Sequence, residues 1–285
     1  FTSDPGLFCW GEGTLEWHTR SVVGAVEDLT ELLIGEDPSR IEYLWQIMHR
    51  QHFWHGDGVV RSTAISAIDI ALWDIKGKHF QTPVWELMGG KCRDKIRLHL
   101  LLKGGSTPEE VALSARAAAE EGFTAIKFDP LPIGYQDMSH ARLISTAVDQ
   151  VSAAREAVGD DVDIIIEIHR KLTPKVAVVL AEALSGFNPL FYEDPIQIDS
   201  ILSQAEIAQR VSIPVANGER MHNIWEFREL LSNGGPQFVR PDVGLAGGLT
   251  HCKKIAAIAE AYHSAVVTHN YLGPILTAAS LHLDT

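Results

Sequence analysis

The sequence predicts an α/β fold, in which a (β/α) barrel follows a mainly helical capping region. From about residue 97 onward, short apolar runs alternate with amphipathic helical patterns, and such alternation is typical of βαβ units in a parallel sheet. The later runs recur about every 25 residues, a spacing typical of repeated strand–helix units. The region before residue 96 lacks this alternation, which indicates a second domain.

The first 95 residues are predicted to form this capping domain. Segments 25–48 and 62–80 are helical by the period of their apolar residues, and glycine and proline residues interrupt them. We expect helices here, completed by a small sheet whose other strands lie outside this sequence. The segment from Trp54 to Gly58 is a possible lid, although core packing is the simpler interpretation.

The barrel domain is predicted over residues 96–285, with an eighth strand expected beyond Thr285. Amphipathic segments such as PEEVALSARAAAEEG and LTHCKKIAAIAEAY separate the predicted strands. The strands are RLHLLL (97–102), AIKFD (125–129), DIIIEIHR (163–170), LFYEDP (190–195), PVANGE (214–219), FVRPDV (238–243) and AVVTHN (265–270).

Composition and charge exclude several classes of function. The chain has 285 residues, of which 46% are hydrophobic, an ordinary globular composition. Its net charge of −13 argues against a nucleic acid or an anionic membrane as a partner. No apolar run approaches the roughly 18 residues that a membrane span needs. Cys9, Cys92 and Cys252 follow no recurring spacing, so we expect neither disulfides nor a cysteine zinc site, and a cytoplasmic location.

Three consecutive predicted strands end in a glutamate, at Glu167, Glu193 and Glu219, each 26 residues after the one before. Catalytic groups of a parallel barrel lie at the carboxyl ends of its strands, so we expect these carboxylates to be in register and to face one point. Like charges at such short range repel one another unless a cation binds. Oxygen ligands suit Mg²⁺. A single strand-end glutamate is usually an ordinary surface residue, but three in register favour a magnesium site.

The next two predicted strands end at Asp242 and His269. A carboxylate bonded to a histidine selects its tautomer and raises its basicity, so this pair predicts a general base. A structural histidine is the alternative. His169 lies two residues after Glu167, and because alternate residues share a strand face, we expect His169 to point the same way as the metal ligand.

These motifs, in this order, resemble the mandelate racemase branch of the enolase superfamily, and most closely its galactonate dehydratases. The resemblance implies a modified (β/α)₇β TIM-like barrel with an α+β N-terminal capping domain, assembled as a homo-oligomer, an octamer or a dimer. It is carried by VGAVEDLTELLIGEDPSRIEYLWQIM, SAIDIALWDIKGKHFQTPVWELMGG, the EIH triplet, FYEDP, NGER, RPDVGLAGGLTHCKKIAAIAEAY and THNYLGPI.

The resemblance also implies a function. Members of this kind are Mg²⁺-dependent dehydratases of sugar acids, which remove the proton α to the carboxylate and eliminate the 3-hydroxyl to give a 2-keto-3-deoxy acid. Galactonate is the favoured substrate. The implied metal ligands are Glu167, Glu193 and Glu219. The implied catalytic residues are His269 with Asp242 as the base and His169 as the acid, and Lys127, Asp129 and Arg220 are candidates for substrate binding.

Two positions depart from these relatives. Glu167 stands where the first metal ligand is usually aspartate, which suggests a shifted or weaker metal site. Racemases of the branch carry Lys-x-Lys at the end of the second strand, whereas this chain has Lys127-Phe128-Asp129. Asp129 therefore disfavours racemisation. Galactonate dehydratases carry asparagine there, so a different hydroxyl pattern in the substrate is expected.

Three other functions remain open at this point. One is a racemase or epimerase of a 2-hydroxy acid, and a second is a cycloisomerase, which normally uses lysine bases. The third is a non-catalytic homologue kept for assembly or ligand sensing. A binding module has no need of an aspartate–histidine pair, which argues against the third.

Overall fold

The computed structural model describes residues 6–50, 58–103 and 107–285. Of the possible lid at Trp54–Gly58, all but the final glycine lie outside the described residues. Within the described ranges, no helix combines the length and the apolar character that crossing a bilayer requires.

The N-terminal part of the chain is helical, as predicted. Its helices are α1 (Thr19–Thr30), α2 (Ile41–Arg50), α3 (Val59–Phe80) and α4 (Val84–Leu87). Helix α3 is buried on most sides, including polar side chains, which is typical of a helix inside a core. It ends at Phe80, because the left-handed backbone of Gln81 (φ 51°) breaks the helix two residues before Pro83.

Seven parallel strands form one sheet whose order follows the chain, which confirms the predicted strand–helix alternation. The strands are β1 (Leu100–Leu101), β2 (Ala125–Phe128), β3 (Asp163–Glu167), β4 (Phe191–Glu193), β5 (Val215–Asn217), β6 (Phe238–Val239) and β7 (Ala265–Val266). The helices that accompany them are α5 (Pro108–Glu120), α6 (His140–Val158), α7 (Pro174–Leu184), α8 (Ile201–Arg210), α9 (Ile224–Ser232), α10 (Gly248–Ala261) and α11 (Pro274–Asp284).

Local sequence determines where several of these helices begin. The hydroxyls of Thr107, Ser139 and Ser200 accept hydrogen bonds from backbone N–H groups in the first turns of α5, α6 and α8. Such caps satisfy backbone donors that a helix leaves without a partner. Proline at the first position of α5, α7 and α11 supplies a backbone angle already suited to the helix.

The strands are shorter than the apolar runs predict. The sixth run, FVRPDV, forms only two strand residues, because Pro241 has no N–H group with which to continue the ladder. The third run stops at Glu167, and the left-handed backbone of His169 (φ 53°) and Arg170 (φ 62°) turns the chain. The expectation that His169 lies on the strand face of Glu167 is therefore wrong, because His169 belongs to the turn that follows the strand.

Contacts divide the chain into two compact units. One consists of Phe1–Ile96, Gly218–Arg228 and Val239–Thr285, and the other of Arg97–Asn217 and Glu229–Phe238. The predicted boundary near residue 95 between a capping domain and a barrel domain stays a prediction.

Each unit has its own apolar core. In the unit that carries β1 to β5, Phe128, Ile164 and Ile166 of the strands and Val151 and Leu180 of the helices belong to one buried cluster. In the other unit, the helices α1, α2 and α3 bury a separate cluster. Each fully buried side chain of this size stabilises the fold by about 1.5–3 kcal/mol, so each core stabilises the helices and strands of its own unit.

Candidate active site

Glu167 and Glu193 are fully buried at the ends of β3 and β4. The two residues are direct partners in the register of the sheet, as predicted. The Nζ atom of Lys127, on β2, lies 2.9 Å from Glu167 Oε2 and 3.1 Å from each oxygen of Glu193. A buried carboxylate pair is costly unless cations compensate it, and this ammonium supplies part of the compensation.

Glu219 reaches the site by a different route from the one predicted. The register partner of Glu193 on β5 is Ala216, so Glu219 lies three residues farther along, in the turn after the strand. The equal spacing of 26 residues therefore does not reflect equal register. Gly218 makes this turn with φ 129°, a conformation that favours glycine. A Cβ at this glycine would lie 2.6 Å from the ring of Phe227.

The three glutamates form a group that could hold a metal ion. One oxygen from each of Glu167, Glu193 and Glu219 lies within 4.8 Å of the others. Opposite oxygens around Mg²⁺ are about 4.2 Å apart, so only small side-chain adjustments would bring these oxygens onto one ion. Three carboxylates and the Lys127 ammonium carry excess negative charge, and hard oxygen donors suit a hard divalent cation. The residues present therefore fit a site of this kind.

His269 and Asp242 form the predicted pair. The ring Nδ1 of His269 lies 2.6 Å from Asp242 Oδ2, and the two residues also form an isolated parallel bridge. The other carboxylate oxygen of Asp242 accepts a hydrogen bond from the Gly244 N–H at 2.7 Å. A carboxylate only accepts hydrogen bonds, so the contact with Asp242 places a hydrogen on Nδ1. The ring Nε2 faces Glu219, with 3.5 Å between it and Oε2.

His169 also lies against a metal-ligand candidate, although by way of its backbone. Its N–H donates to Glu167 Oε1 at 2.8 Å. The ring Nδ1 lies 3.0 Å from Asp129 Oδ2. The side chain of His169 is 41% exposed, so the ring combines a bonded edge with access to solvent.

Asp129 has both carboxylate oxygens engaged by protein donors. Its Oδ1 accepts from the Leu131 N–H at 2.9 Å, and its Oδ2 contacts both His169 Nδ1 and Lys171 Nζ. Burial acts to raise the pKa of Asp129, but the hydrogen bonds from His169, Lys171 and Leu131 outweigh burial and lower it. Asp129 is therefore an ionised acceptor. Its predicted role in substrate binding stays a prediction, as do those of Lys127 and Arg220.

Arg220 differs from the other candidates in its exposure. Its side chain is 46% exposed, and its Nε lies 3.8 Å from Glu219 Oε1. This separation is longer than a hydrogen bond. The guanidinium therefore keeps donors available for other contacts.

A buried hydrogen-bond network around Asp194, the Asp194 brace, was not predicted from the sequence. Asp194 accepts hydrogen bonds from Arg170 NH1 at 2.8 Å and from Asn217 Nδ2 at 3.0 Å. The backbone N–H of Arg170 also donates to the Asp194 carbonyl at 2.7 Å. Asp194 directly follows Glu193, and Asn217 ends β5, so this network ties together the ends of three strands. The adjacent acids of FYEDP were the available signal, but no pattern in the sequence pointed to Arg170 or Asn217 as partners.

Known protein families match this chain over both its N-terminal and its C-terminal parts. Residues 1–89 match the family model of the mandelate racemase / muconate lactonizing enzyme N-terminal domain, and residues 110–285 match the enolase C-terminal domain-like model. A D-galactonate dehydratase from Cronobacter sakazakii is 41% identical over 283 residues, which cover 99% of this chain and 73% of that protein.

Solved structures share this fold over nearly all of the described chain. A member of the enolase superfamily from Salmonella Typhimurium has a TM-score of 0.94 and 33% identity, with 99% of this chain and 78% of that chain covered. An enolase from Agrobacterium radiobacter, solved with bound Na and L-malate, has a TM-score of 0.93 and 32% identity, with 99% and 72% covered. These matches confirm the predicted fold class, a TIM-like barrel with an N-terminal domain. The chain belongs to the mandelate racemase branch of the enolase superfamily.

Proposed function

We propose that this protein is a hydro-lyase, a Mg²⁺-dependent dehydratase of sugar acids. The observation that carries the proposal is the orientation of the His269 ring. Its Nδ1 is bonded to Asp242, and its Nε2 faces Glu219, one of the three glutamates that could hold a metal ion. An imidazole oriented in this way is equipped to remove a proton from a substrate bound at that group. The D-galactonate dehydratase relative supports the reaction class and makes galactonate the first substrate to test.

Glu167, Glu193 and Glu219 would hold the metal. When bound, a divalent cation acts as a Lewis acid that offsets the negative charge which develops on a substrate carboxylate as its α-proton leaves. The protein contributes the buried position of Glu167 and Glu193 and the Asp194 brace, both of which limit how far the ligands can move.

The proton transfers are assigned to the two histidines. His269 Nε2 takes the proton from the carbon next to the carboxylate, and Asp242 stabilises the resulting imidazolium. His169 then gives a proton to the 3-hydroxyl as the C3–O bond breaks with its electron pair, so that water leaves. The enol that remains tautomerises to a 2-keto-3-deoxy acid. Each proton-transfer residue of this kind contributes a rate factor of about 10²–10⁴.

The first experiment is an assay over a set of aldonates that includes galactonate, gluconate and the five-carbon acids. The protein is incubated with Mg²⁺ in D₂O, and NMR follows both keto acid formation and deuterium at the α-carbon. We expect a 2-keto-3-deoxy acid from at least one aldonate. If epimerised substrate accumulates and no keto acid forms, the protein is an epimerase and the dehydratase proposal is wrong.

The assembly and the location of the protein are also proposals. Dehydration of a small sugar acid requires neither a nucleic acid nor a membrane partner. A homo-oligomer, either an octamer or a dimer, in the cytoplasm stays a prediction, and sedimentation of the purified protein tests the oligomeric state.

A further inference from the structure

The contact between Asp129 and His169 has a chemical consequence for the proposed dehydration. Asp129 directly follows β2, with only 14% of its side chain exposed, and its Oδ2 lies 3.0 Å from His169 Nδ1. An ionised carboxylate has no hydrogen to donate. The ring atom that faces it must therefore carry the hydrogen, since two acceptors at this distance would repel each other.

The surrounding bonds hold this arrangement in place. The Leu131 N–H occupies Oδ1 of Asp129, which prevents the carboxylate from rotating freely. The backbone of His169 is held in the left-handed region and bonded to Glu167 Oε1. With both its backbone and Nδ1 held, the ring has one nitrogen left for substrate, namely Nε2.

We propose that Asp129 is a positioning residue of the dehydration step, which holds the Nδ1–H of His169 so that only Nε2 can give a proton to the departing hydroxyl. This inference rests on the proposed function. When the C3–O bond breaks, the electron pair stays on oxygen, and the proton on Nε2 completes a water molecule. His169 is left neutral, with its remaining hydrogen on Nδ1 and still bonded to Asp129. The site thus contains a second aspartate–histidine pair.

Lys171 provides a matched control, because its Nζ contacts the same oxygen of Asp129. Its aliphatic chain also carries the ammonium over the ring of Tyr135, 5.7 Å from the ring centre. Lys171→Met removes a charged partner of Asp129 but leaves the bonds from His169 and Leu131. If Asp129, His169 and Lys171 only stabilise the local structure, Lys171→Met and Asp129→Ala should impair dehydration equally. If Asp129 acts by positioning His169, only Asp129→Ala should impair it.

The first test reads the tautomer and needs no substrate. Ring ¹⁵N NMR is recorded on protein labelled at histidine, with the His169 signals identified by their loss in His169→Gln. At a pH where the ring is neutral, we expect the hydrogen on Nδ1 in the wild type and in Lys171→Met. In Asp129→Ala the hydrogen should shift largely to Nε2. The same tautomer in Asp129→Ala as in the wild type would overturn the inference, whatever the enzyme catalyses.

The second test measures a ratio of two products in D₂O. The ratio is the amount of keto acid formed, divided by the amount of α-deuterium gained by the substrate that remains. His169→Gln marks the limit without an acid. We expect Asp129→Ala to lower this ratio about 10- to 100-fold. Because the ratio compares two outcomes of bound substrate, weaker substrate binding alone would not change it. Asp129→Asn keeps an acceptor oxygen, so its ratio should fall between those of the wild type and Asp129→Ala. This variant keeps the test valid if Asp129→Ala does not fold. Lys171→Met should keep the ratio.

The outcomes separate the two proposals. If the wild type forms no keto acid, the proposed function fails. If the wild type dehydrates an aldonate and both Asp129 variants keep the wild-type ratio, the inference about Asp129 fails alone. An equal fall in Lys171→Met and Asp129→Ala would also overturn the inference, because the cluster would then be acting as a structural unit.

Discussion

At the scale of single residues, orientation of a ring decides what a histidine can do. His269 and His169 each have Nδ1 against a carboxylate, at 2.6 and 3.0 Å. In both cases the carboxylate orients the ring through Nδ1, and Nε2 is the nitrogen that the proposed reaction would use. The buried histidine His251 is a contrast, because burial first, and the charges of Lys254 and His49 next, lower its pKa to about 3. It stacks on Trp45, with ring centres 3.4 Å apart, and belongs to the core.

His269→Ala is expected to remove both keto acid formation and α-proton exchange, because no other group would take the α-proton. The loss in kcat should be at least about 10²–10⁴-fold. The measurement is NMR of the substrate in D₂O, with the melting temperature of the variant as a check that it folds. Exchange of the α-proton at the wild-type rate in this variant would show that His269 is not the base.

At the scale of elements, the start of α10 depends on polar side chains of α3. The Ser66 hydroxyl accepts from the Gly247 and Gly248 N–H groups at 2.9 and 3.1 Å, and Asp69 accepts from the Thr250 N–H at 3.0 Å. Burial raises the pKa of Asp69 to about 7, and hydrogen bonds from Thr250 offset part of that effect. A carboxyl group with a raised pKa favours the folded state when protonated, so its contribution to stability is present below pH 4 and is lost as pH rises towards 7.

Asp69→Asn should therefore gain stability relative to the wild type as pH increases from about 4 to 7, because asparagine does not ionise. The gain has an upper bound of about 4 kcal/mol. Urea denaturation of both proteins at pH 4, 5.5, 7 and 8 measures the difference. A stability difference that stays constant over this range would mean that Asp69 does not titrate there.

The turn after β5 is a second place where one element depends on a special residue. Gly218→Ala should destabilise the fold by about 1–3 kcal/mol, because its φ of 129° strains any residue with a Cβ and the added atom meets Phe227. Since Glu219 is the next residue, metal affinity should fall as well. Chemical denaturation and Mg²⁺ titration measure the two effects, and Gly186→Ala, whose added Cβ would meet open space, is the control. If Gly218→Ala matches this control in both measurements, the backbone at Gly218 is not strained.

At the scale of the whole molecule, the proposed metal site takes its side chains from three segments far apart in the chain. The melting temperature should therefore rise with Mg²⁺ concentration, and a concentration 100 times the dissociation constant adds about 2.7 kcal/mol to the free energy of unfolding. Glu219→Gln should lose this dependence and keep its fold. Chelation should abolish activity, and Mg²⁺ should restore it. Activity unchanged after exhaustive chelation, with a melting temperature unaffected by Mg²⁺, would exclude the metal role.

The sequence by itself determined the alternation of strands and helices and the residue types at the strand ends. Those features are local: apolar period, turn residues and the position of a carboxylate after an apolar run are all properties of neighbouring residues. The pairing of Asp242 with His269 was also predictable, because parallel neighbouring strands end on the same edge of a sheet.

Only the tertiary structure decided the register and the hydrogen-bond partners. Spacing along the chain includes residues in turns, so the equal intervals between Glu167, Glu193 and Glu219 concealed that Ala216 is the partner of Glu193. The left-handed backbone at His169 could not be predicted from the period of the apolar residues. Nor could its bond to Asp129, which is 40 residues away in sequence. Such contacts depend on where the packed helices place each strand end, which no local pattern of residues encodes.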